Sequence, residues 1–244
     1  MIPAYLVLFR AMGLPTVILP GYFAAAIAYR SLQQRLQQLG FPSTIVPLRR
    51  RDWIPTLGGK PVTPILQQLD QTVKQVLQKY RVSQINLIGH SAGGWISRIY
   101  LGEKPYWIPR GATEPPQSWG AHSQIATLLT LGTPHMSQER WTRQNLDFVN
   151  QNYPGAFHCD VRYTCVAGKS VYGQLNWKHW ITYHSYELTG GEGNSWGDGI
   201  TPIVAAHLHG AKNLVLEGVK HSPRDDGFWY GSPEILDAWV PYLN

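Results

Sequence analysis

The residues with the clearest capacity for chemistry surround Ser91, in the pentapeptide Gly89-His90-Ser91-Ala92-Gly93. The apolar run Ile85 to Ile88 before it is typical of a buried strand, and residues 95–101 after it are typical of a helix. A Gly-x-Ser-x-Gly turn between a strand and a helix is a nucleophile elbow, which exposes the serine hydroxyl. The pattern predicts that Ser91 is a nucleophile, and the alternative is a chance match in a loop.

A serine hydroxyl attacks a carbonyl only when a base takes its proton, so an acid and a histidine are also needed. In doubly wound hydrolases these partners follow the serine in the order Asp or Glu, then His. His221 closely follows the last predicted strand, 213–216, and Asp198 lies between Gly197 and Gly199 in a tight loop. We therefore predict His221 as the base and Asp198 as the acid that orients it.

Other histidines and acids fit these roles less well. His135 ends a predicted strand and is the best substitute for the base, although a place in the substrate lining suits it better, whereas His90 belongs to the elbow and should point into packing. Asp160 precedes its strand and so falls at the wrong edge of the sheet. Asp225 and Asp226 follow His221 too closely to reach its ring. An Asp-Gly turn and a surface loop histidine are the alternatives for the chosen pair.

Two backbone N–H groups are needed to stabilise a developing oxyanion. The Ala92 N–H, at the start of the predicted helix, is one candidate. The Tyr22 N–H is the other, because Leu19-Pro20-Gly21-Tyr22 ends the first predicted strand and Gly21 permits close approach of the backbone. A plain Pro-Gly turn is the alternative here.

Strands and helices alternate along the chain, which predicts an α/β-hydrolase fold with a mostly parallel, doubly wound sheet and helices on both faces. Strands are expected at 16–19, 43–48, 85–88, 125–131, 161–167 and 213–216, and helices at 24–39, 64–80, 95–101 and 233–242. The length of 244 residues suits a single domain, 1–244. Cap or lid insertions, rich in Pro, Gly and Trp, are predicted at about 102–124, 135–158 and 168–196.

The composition limits the classes of partner. Hydrophobic residues make up 43% of the chain, charged residues 15%, and the formal net charge is +6. Basic residues cluster only at Arg49-Arg50-Arg51, so nucleic acid is not expected as a partner. The mild positive charge suits anionic lipid headgroups as well as it suits ordinary solvated charge. The sequence leaves the oligomeric state unknown.

The cysteines, the N-terminus and the spacing of metal-ligand residues give further expectations. Cys159 and Cys165 do not require a disulfide, so a reducing compartment is the simpler inference. The apolar stretch Met1 to Phe9 lacks the basic start and cleavage site of a signal peptide. We expect a cytoplasmic or stromal-type protein that docks peripherally on membranes. No His, Cys, Asp or Glu cluster has metal-type spacing, and no metal or cofactor is expected.

The motifs together resemble a known family. Leu-Pro-Gly-Tyr, Gly-His-Ser-Ala-Gly-Gly, Leu-Gly-Thr-Pro-His, Gly-Asp-Gly-Ile-Thr-Pro and a late Val-Lys-His occur in the order seen in α/β-hydrolase lipases. The chain is most similar to the lipase-like hydrolases of cyanobacteria and plastids, related to the GPI inositol-deacylase-like group. The resemblance spans Leu19 to His221 and implies esterase activity on acyl lipids, with Ser91, Asp198 and His221 as the triad.

These observations predict a serine carboxylester hydrolase that cleaves acyl glycerolipids through an acyl-enzyme on Ser91. Six of the ten tryptophans fall in the irregular insertions, which suits a lipid interface or an apolar entry as well as it suits loop packing. These are Trp107, Trp119, Trp141, Trp177, Trp180 and Trp196. Two alternatives stay open: an acyl thioesterase, and a hydrolase-fold binding protein without turnover.

Overall fold

The computed structural model describes residues 13–111, 114–177, 179–223 and 225–244. The interpretation of Met1 to Phe9 lies outside these residues. Within them, no helix is both long enough and apolar enough to cross a membrane.

A parallel sheet of six strands forms the centre of the molecule, in the order β2-β1-β3-β4-β5-β8. Two further short strands, β6 and β7, pair with each other in antiparallel fashion. The strands are β1 (Thr16–Leu19), β2 (Ser43–Ile45), β3 (Ile85–His90), β4 (Ile125–Leu131), β5 (Arg162–Lys169), β6 (Val171–Tyr172), β7 (Trp196–Gly197) and β8 (Lys212–Glu217).

The helices cover both faces of this sheet. They are α1 (Arg30–Gln38), α2 (Thr63–Tyr80), α3 (Ala92–Leu101), α4 (Arg143–Asn152), α5 (Trp180–Gly190), α6 (Ile203–Ala206) and α7 (Pro233–Leu236), with 3-10 helices at Ala26–Tyr29, Arg50–Thr56, Ala121–Gln124 and Val240–Tyr242. The expected helices over 24–39 and 233–242 are each divided into a 3-10 turn and a short α-helix.

Successive side chains of the central strands point to opposite faces of the sheet, so the interior contains two hydrophobic cores. Val17 and Leu87 face one core, which contains side chains of α2, α3 and α4. Ile18 and Ile88 face the other, which contains side chains of α1 and of the C-terminal segment. Because both faces of β1, β3 and β4 are buried, these strands are mainly apolar rather than alternating with exposed polar residues, and the polar Asn86 and His90 of β3 are buried too. The predicted α/β-hydrolase fold class is confirmed.

The three segments predicted as insertions differ in structure. The described residues 102–111 and 114–120 are irregular, a bridge between Tyr106 and Gln117 joins them, and the 3-10 helix Ala121–Gln124 follows. Residues 135–158 contain α4, and residues 168–196 contain the end of β5, then β6 and α5. Whether any of them moves as a lid stays a prediction.

Candidate active site

Ser91 lies in the sharp turn between β3 and α3. Its backbone angles are φ 52° and ψ −126°, which a residue with a side chain adopts only under strain. The turn requires Gly89, because a Cβ there would lie 2.5 Å from the Gly94 Cα. The structure therefore builds the elbow that the sequence predicts, with Ser91 partly exposed at the carboxyl end of the sheet.

Asp198 and His221 meet at the same edge, although 23 positions separate them. His221 follows β8 by four residues, and Asp198 directly follows β7. The His221 Nδ1 lies 2.7 Å from the Asp198 Oδ2, and the His221 backbone N–H donates to the Asp198 carbonyl at 3.0 Å. Because an ionised carboxylate only accepts, Nδ1 carries the hydrogen and Nε2 is left free as a base.

The Asp198 carboxylate is buried and held on both oxygens. The backbone N–H groups of Ile200 and Thr201 donate to Oδ1 at 3.0 and 2.7 Å. Burial opposes ionisation of this carboxyl, but the charge and hydrogen bond of His221, the Thr201 N–H and the Tyr230 hydroxyl outweigh it, so the pKa of Asp198 is lowered. The carboxylate is therefore charged over the neutral pH range.

Tyr230 is a site residue that the sequence analysis missed. Its hydroxyl donates to Asp198 Oδ2 at 2.7 Å and accepts from the Gly168 N–H at 2.8 Å. Burial, and then the charge of Asp198, raise the pKa of this hydroxyl well above its ordinary value. Tyr230 therefore stays neutral and ties the acid to the end of β5.

His90 is buried as predicted, but it also links the loops around Ser91. Its Nε2 lies 2.9 Å from the His221 carbonyl oxygen, so Nε2 donates, and its Nδ1 accepts from the Tyr29 hydroxyl at 2.7 Å. The Tyr29 oxygen accepts in turn from the Gly21 N–H at 3.1 Å. Burial, followed by the charge of His221, lowers the pKa of His90 to about 3, so the ring is neutral. The Gly21 and His221 loops are thus joined through the residue before Ser91.

The predicted oxyanion donors flank Ser91. Gly21 is so close that a Cβ there would lie 2.7 Å from the Ser91 Cβ, and Tyr22 follows it. Ala92 is the first residue of α3, so its N–H has no partner within the helix. In the described part of the chain, no hydrogen bond is recorded from the Tyr22 or the Ala92 N–H. Both groups are available to a ligand.

A cavity of about 150 Å³ opens at this point. Ser91 and His221 both line it, together with Gly21, Tyr22, Tyr29 and other residues of the two loops. A second cavity, of about 110 Å³, shares Tyr22 and extends between Leu57 and Trp141. The ring of Tyr22 packs between these cavities against Trp53 and Trp95, and burial raises its pKa to about 12.

The alternative candidates lie elsewhere. The His135 ring is buried beside Arg98, Thr130 and Cys165, and burial followed by the Arg98 charge lowers its pKa. Asp160 pairs with His122 at the amino end of β5, away from Ser91. The structure therefore brings together Ser91, Asp198 and His221, and does not bring His135 or Asp160 to them.

Helix α5 is seated on the loop that carries Asp198. The Gly199 N–H donates to the Tyr186 hydroxyl at 2.8 Å, and the Ser185 hydroxyl donates to the Ile200 carbonyl at 2.7 Å. Around this contact the structure leaves large apolar side chains exposed. They are Leu175, Trp177, Trp180, Ile181, Leu188, Trp196, Ile200 and Val204, and we call this set the apolar rim.

Comparison with solved structures supports the architecture. Bacillus licheniformis lipase BlEst2 in mature form superposes with a TM-score of 0.66 at 17% identity, over 96% of this chain and 93% of that one. The lin2722 product of Listeria innocua superposes with a TM-score of 0.51 at 12% identity, over 93% and 92% of the two chains. At these identities the likeness concerns the fold, which is that of the α/β hydrolases, the class that includes lipases and esterases.

Comparison of the sequence finds two partial matches. Residues 56–153 match a family model described as the PGAP1-like alpha/beta domain, a stretch that includes Ser91 but neither Asp198 nor His221. A putative GPI inositol-deacylase C from Yarrowia lipolytica is 25% identical over an alignment of 163 positions, which covers 59% of this chain and 18% of that protein. The predicted resemblance to GPI inositol-deacylase-like hydrolases is confirmed, and its cyanobacterial and plastid detail stays a prediction.

Proposed function

We propose that this chain is a serine ester hydrolase that cleaves acyl esters of glycerolipids through an acyl-enzyme on Ser91. The observation that carries the proposal is the 2.7 Å hydrogen bond between His221 and Asp198, made beside a cavity that His221 and Ser91 both line. The strained backbone of Ser91 supports it, because strain at an exposed hydroxyl is typical of nucleophile elbows.

In the first half-reaction the Ser91 Oγ attacks the ester carbonyl carbon and its proton passes to the His221 Nε2. The Tyr22 and Ala92 N–H groups donate to the oxyanion of the tetrahedral intermediate. The intermediate collapses, the alcohol leaves with the proton from His221, and the acyl group stays on Ser91. A water molecule then gives its proton to His221, attacks the acyl-enzyme and releases the fatty acid.

Asp198 fixes the tautomer of His221 and stabilises the imidazolium that forms at each step. The Tyr29–His90 link supports this arrangement from the other side, because it joins the Gly21 loop to the backbone of His221. A site held in place before substrate arrives loses little free energy to reorganisation during the reaction.

Three observations favour an acyl lipid as the substrate. The Yarrowia relative is named as an inositol-deacylase, and deacylation breaks an acyl ester. The cavities on either side of Tyr22 offer room for an acyl chain beside Ser91. The apolar rim includes Ile200, two residues after Asp198, so exposed apolar surface begins at the loop of the acid.

We further propose peripheral contact with a membrane from the cytoplasmic or stromal-type side, through the apolar rim. Aromatic side chains with one polar group are favoured at lipid interfaces. Arg49, Arg50 and Arg51 are exposed after β2, at the same edge of the sheet, and suit anionic headgroups.

The first test is chemical labelling of the intact chain with a fluorophosphonate probe, followed by peptide mass spectrometry. We expect the label on Ser91, and Ser91→Ala should lower turnover of a long-chain ester by about 10⁴-fold or more. Ser97→Ala is the matched control, since Ser97 lies inside α3 with its hydroxyl bonded to the Gly93 carbonyl. Full activity in Ser91→Ala would reject the proposal, and an unlabelled Ser91 would favour a binding protein without turnover.

A second experiment addresses the substrate. The chain is incubated with a mixed membrane-lipid extract, and the released fatty acids and the remaining headgroups are identified by mass spectrometry. Parallel rates on acyl thioesters and acyl glycerides separate the two leaving groups. Faster turnover of thioesters would replace the glycerolipid assignment with a thioesterase.

Membrane contact is tested by co-sedimentation with vesicles of phosphatidylcholine, with and without phosphatidylglycerol. We expect Trp177→Ala and Ile181→Ala, in the apolar rim, to reduce the bound fraction. Phe157→Ala is the control, because Phe157 is also an exposed aromatic residue but packs against His158 near the opposite edge of the sheet. Equal losses in all three variants would contradict contact through the rim.

A further inference from the structure

A second cluster of ligand-type side chains lies at the amino edge of the sheet, opposite Ser91. Glu103 follows α3, His122 is in the 3-10 turn before β4, and His158 precedes β5. Each offers one nitrogen or oxygen atom, and these three atoms lie within 4.8 Å of one another. We call these three residues the amino-edge cluster.

Backbone hydrogen bonds hold the segments of the amino-edge cluster in register. The Gly120 N–H donates to the Gly102 carbonyl at 2.9 Å, which ties the segment of Glu103 to that of His122. The Val161 N–H donates to the His158 carbonyl at 3.1 Å and closes the turn before β5. The backbone segments that carry the three side chains are therefore already connected, so little conformational entropy is lost when a ligand binds.

Carboxylates engage both nitrogens of His122. Its Nε2 lies 3.0 Å from the Glu103 Oε1, and its Nδ1 lies 2.8 Å from the Asp160 Oδ2. In metal sites, a ligating histidine nearly always directs its second nitrogen at a carboxylate or carbonyl, which fixes the ring and raises its basicity. Asp160 stands in that position relative to His122.

His158 supplies an independent observation. Its side chain belongs to a residue only 7% exposed, and its Nε2 is buried without a hydrogen-bond partner among the described residues. The ring stacks on that of His122, with centroids 4.7 Å apart and planes 7° from parallel. A buried imidazole nitrogen without a partner costs free energy, and a bound cation would remove that cost.

We propose that Glu103, His122 and His158 bind a divalent cation of the zinc type, with Asp160 orienting His122. Two imidazoles and one carboxylate favour Zn²⁺ over Ca²⁺ or Mg²⁺, which prefer oxygen ligands. Binding replaces the proton at His122 Nε2, which passes to solvent. One of the stacked rings must tilt so that both nitrogens point at one ion. Because the cluster lies opposite Ser91, the cation stabilises the fold and takes no part in ester cleavage.

The test is calorimetric titration of the full chain with zinc chloride after dialysis against a chelator. We expect one equivalent to bind, with a heat that varies with the ionisation enthalpy of the buffer because a proton is released. The Tm should rise with zinc, since a ligand that binds only the folded state stabilises it. Absence of saturable binding of one equivalent overturns the proposal.

Substitutions then locate the ion. Glu103→Gln and His158→Gln should each weaken binding at least about 10-fold, and Asp160→Asn about 10- to 100-fold. His184→Gln is the matched control, because His184 pairs with Glu187 at the same 3.0 Å, and among the described residues no third His, Cys, Asp or Glu joins them. If His158→Gln fails to fold, Glu103→Gln still decides the result, since that side chain is 58% exposed. Zinc binding unchanged in Glu103→Gln, or lost in His184→Gln, would reject the assignment.

Discussion

Two histidine–aspartate pairs with nearly equal geometry lie at opposite edges of the sheet. His221 and Asp198 are 2.7 Å apart at the carboxyl edge, and His122 and Asp160 are 2.8 Å apart at the amino edge. The side chains of the first pair are 9% and 1% exposed, and those of the second 27% and 45%. Separation alone therefore does not distinguish a catalytic pair from another kind of site.

The difference lies in what surrounds each pair. Asp198 accepts from two backbone N–H groups and from the Tyr230 hydroxyl, and a strained serine lies beside its histidine. The hydrogen bond with His122 lowers the pKa of the exposed Asp160 carboxyl, and the Nε2 edge of His122 faces Glu103. The first environment suits the base that we propose, whereas the second suits the cation site that we propose.

Replacing the acid of each pair should give the largest contrast. Asp198→Asn removes the charge that orients and stabilises His221, so kcat on a p-nitrophenyl ester should fall by about 10⁴-fold. Asp160→Asn, assayed in parallel, should leave kcat within about twofold, because exposed pairs contribute little. Comparable losses in the two variants would remove the functional distinction between the edges.

Removing the Tyr230 hydroxyl should have the next largest effect. Tyr230→Phe deletes a hydrogen bond to the buried Asp198 carboxylate and leaves the Gly168 N–H unpaired, which should lower the free energy of unfolding by about 1.5–3 kcal/mol at pH 7. Urea unfolding measures the change. Tyr172→Phe, which loses an exposed hydrogen bond, is the control and should change it by less than about 0.5 kcal/mol. An unchanged midpoint in Tyr230→Phe would show that the acid does not need this hydroxyl.

His90 makes the carboxyl edge sensitive to acid. The pKa of His90 is lowered to about 3 in the folded state. Below about pH 6.5, the unfolded chain therefore binds a proton at His90, whereas the folded chain does not. Stability should therefore fall as the pH drops from about 6.5 towards 3, by about 2 kcal/mol at pH 5 from this group.

Urea unfolding at pH 7 and pH 5 tests this dependence. The loss between the two pH values should be smaller in His90→Gln than in the unmodified chain by about that amount. His209→Gln, at an exposed histidine, should keep the full loss. A slope that is the same in all three proteins would contradict a neutral, buried His90.

Replacing His122, one of the two histidines of the amino-edge cluster, should have the smallest effect on stability. In buffer without metal, His122→Gln should change the free energy of unfolding by less than about 1 kcal/mol, because its carboxylate partners are partly solvated. Thermal unfolding with and without zinc sharpens the comparison, since only the unmodified chain should gain stability from the ion. A large loss without metal would mean that the pair itself holds the fold.

Residue order along the chain was enough to predict where Ser91, Asp198 and His221 meet. The carboxyl ends of β3, β5 and β8 share one edge of the parallel sheet, so the segments that follow these strands, and that carry Ser91, Asp198 and His221, approach one another. The sequence did not indicate Tyr230 or Tyr29, because a tyrosine hydroxyl carries no spacing signal that names its partner. Both reach the site through side-chain bonds to residues 32 and 61 positions away.

The amino-edge cluster could not be predicted for a related reason. Its ligands come from three segments, at positions 103, 122 and 158, and form no short motif. The predictions of one continuous helix at 24–39 and at 233–242 were wrong for a different reason. The apolar periodicity continues through turns that form 3-10 helices in the folded chain, because tertiary packing overrides local helix propensity. Short-range patterns therefore predicted elements and their order, whereas contacts between distant side chains became visible only in the folded chain.

The seating of α5 on the acid loop has a consequence for protein engineering. Gly199 and Ile200 are bonded to Tyr186 and Ser185, so the position of this helix and that of the carboxylate are mechanically coupled. An outward movement of α5 would displace the loop of Asp198. Shortening α5 to widen the cavity entrance would remove the two hydrogen bonds that hold this loop. To enlarge the range of substrates under the proposed function, substitutions are better made at Leu57 and Trp141, which line the second cavity and lie outside the proposed proton-transfer residues.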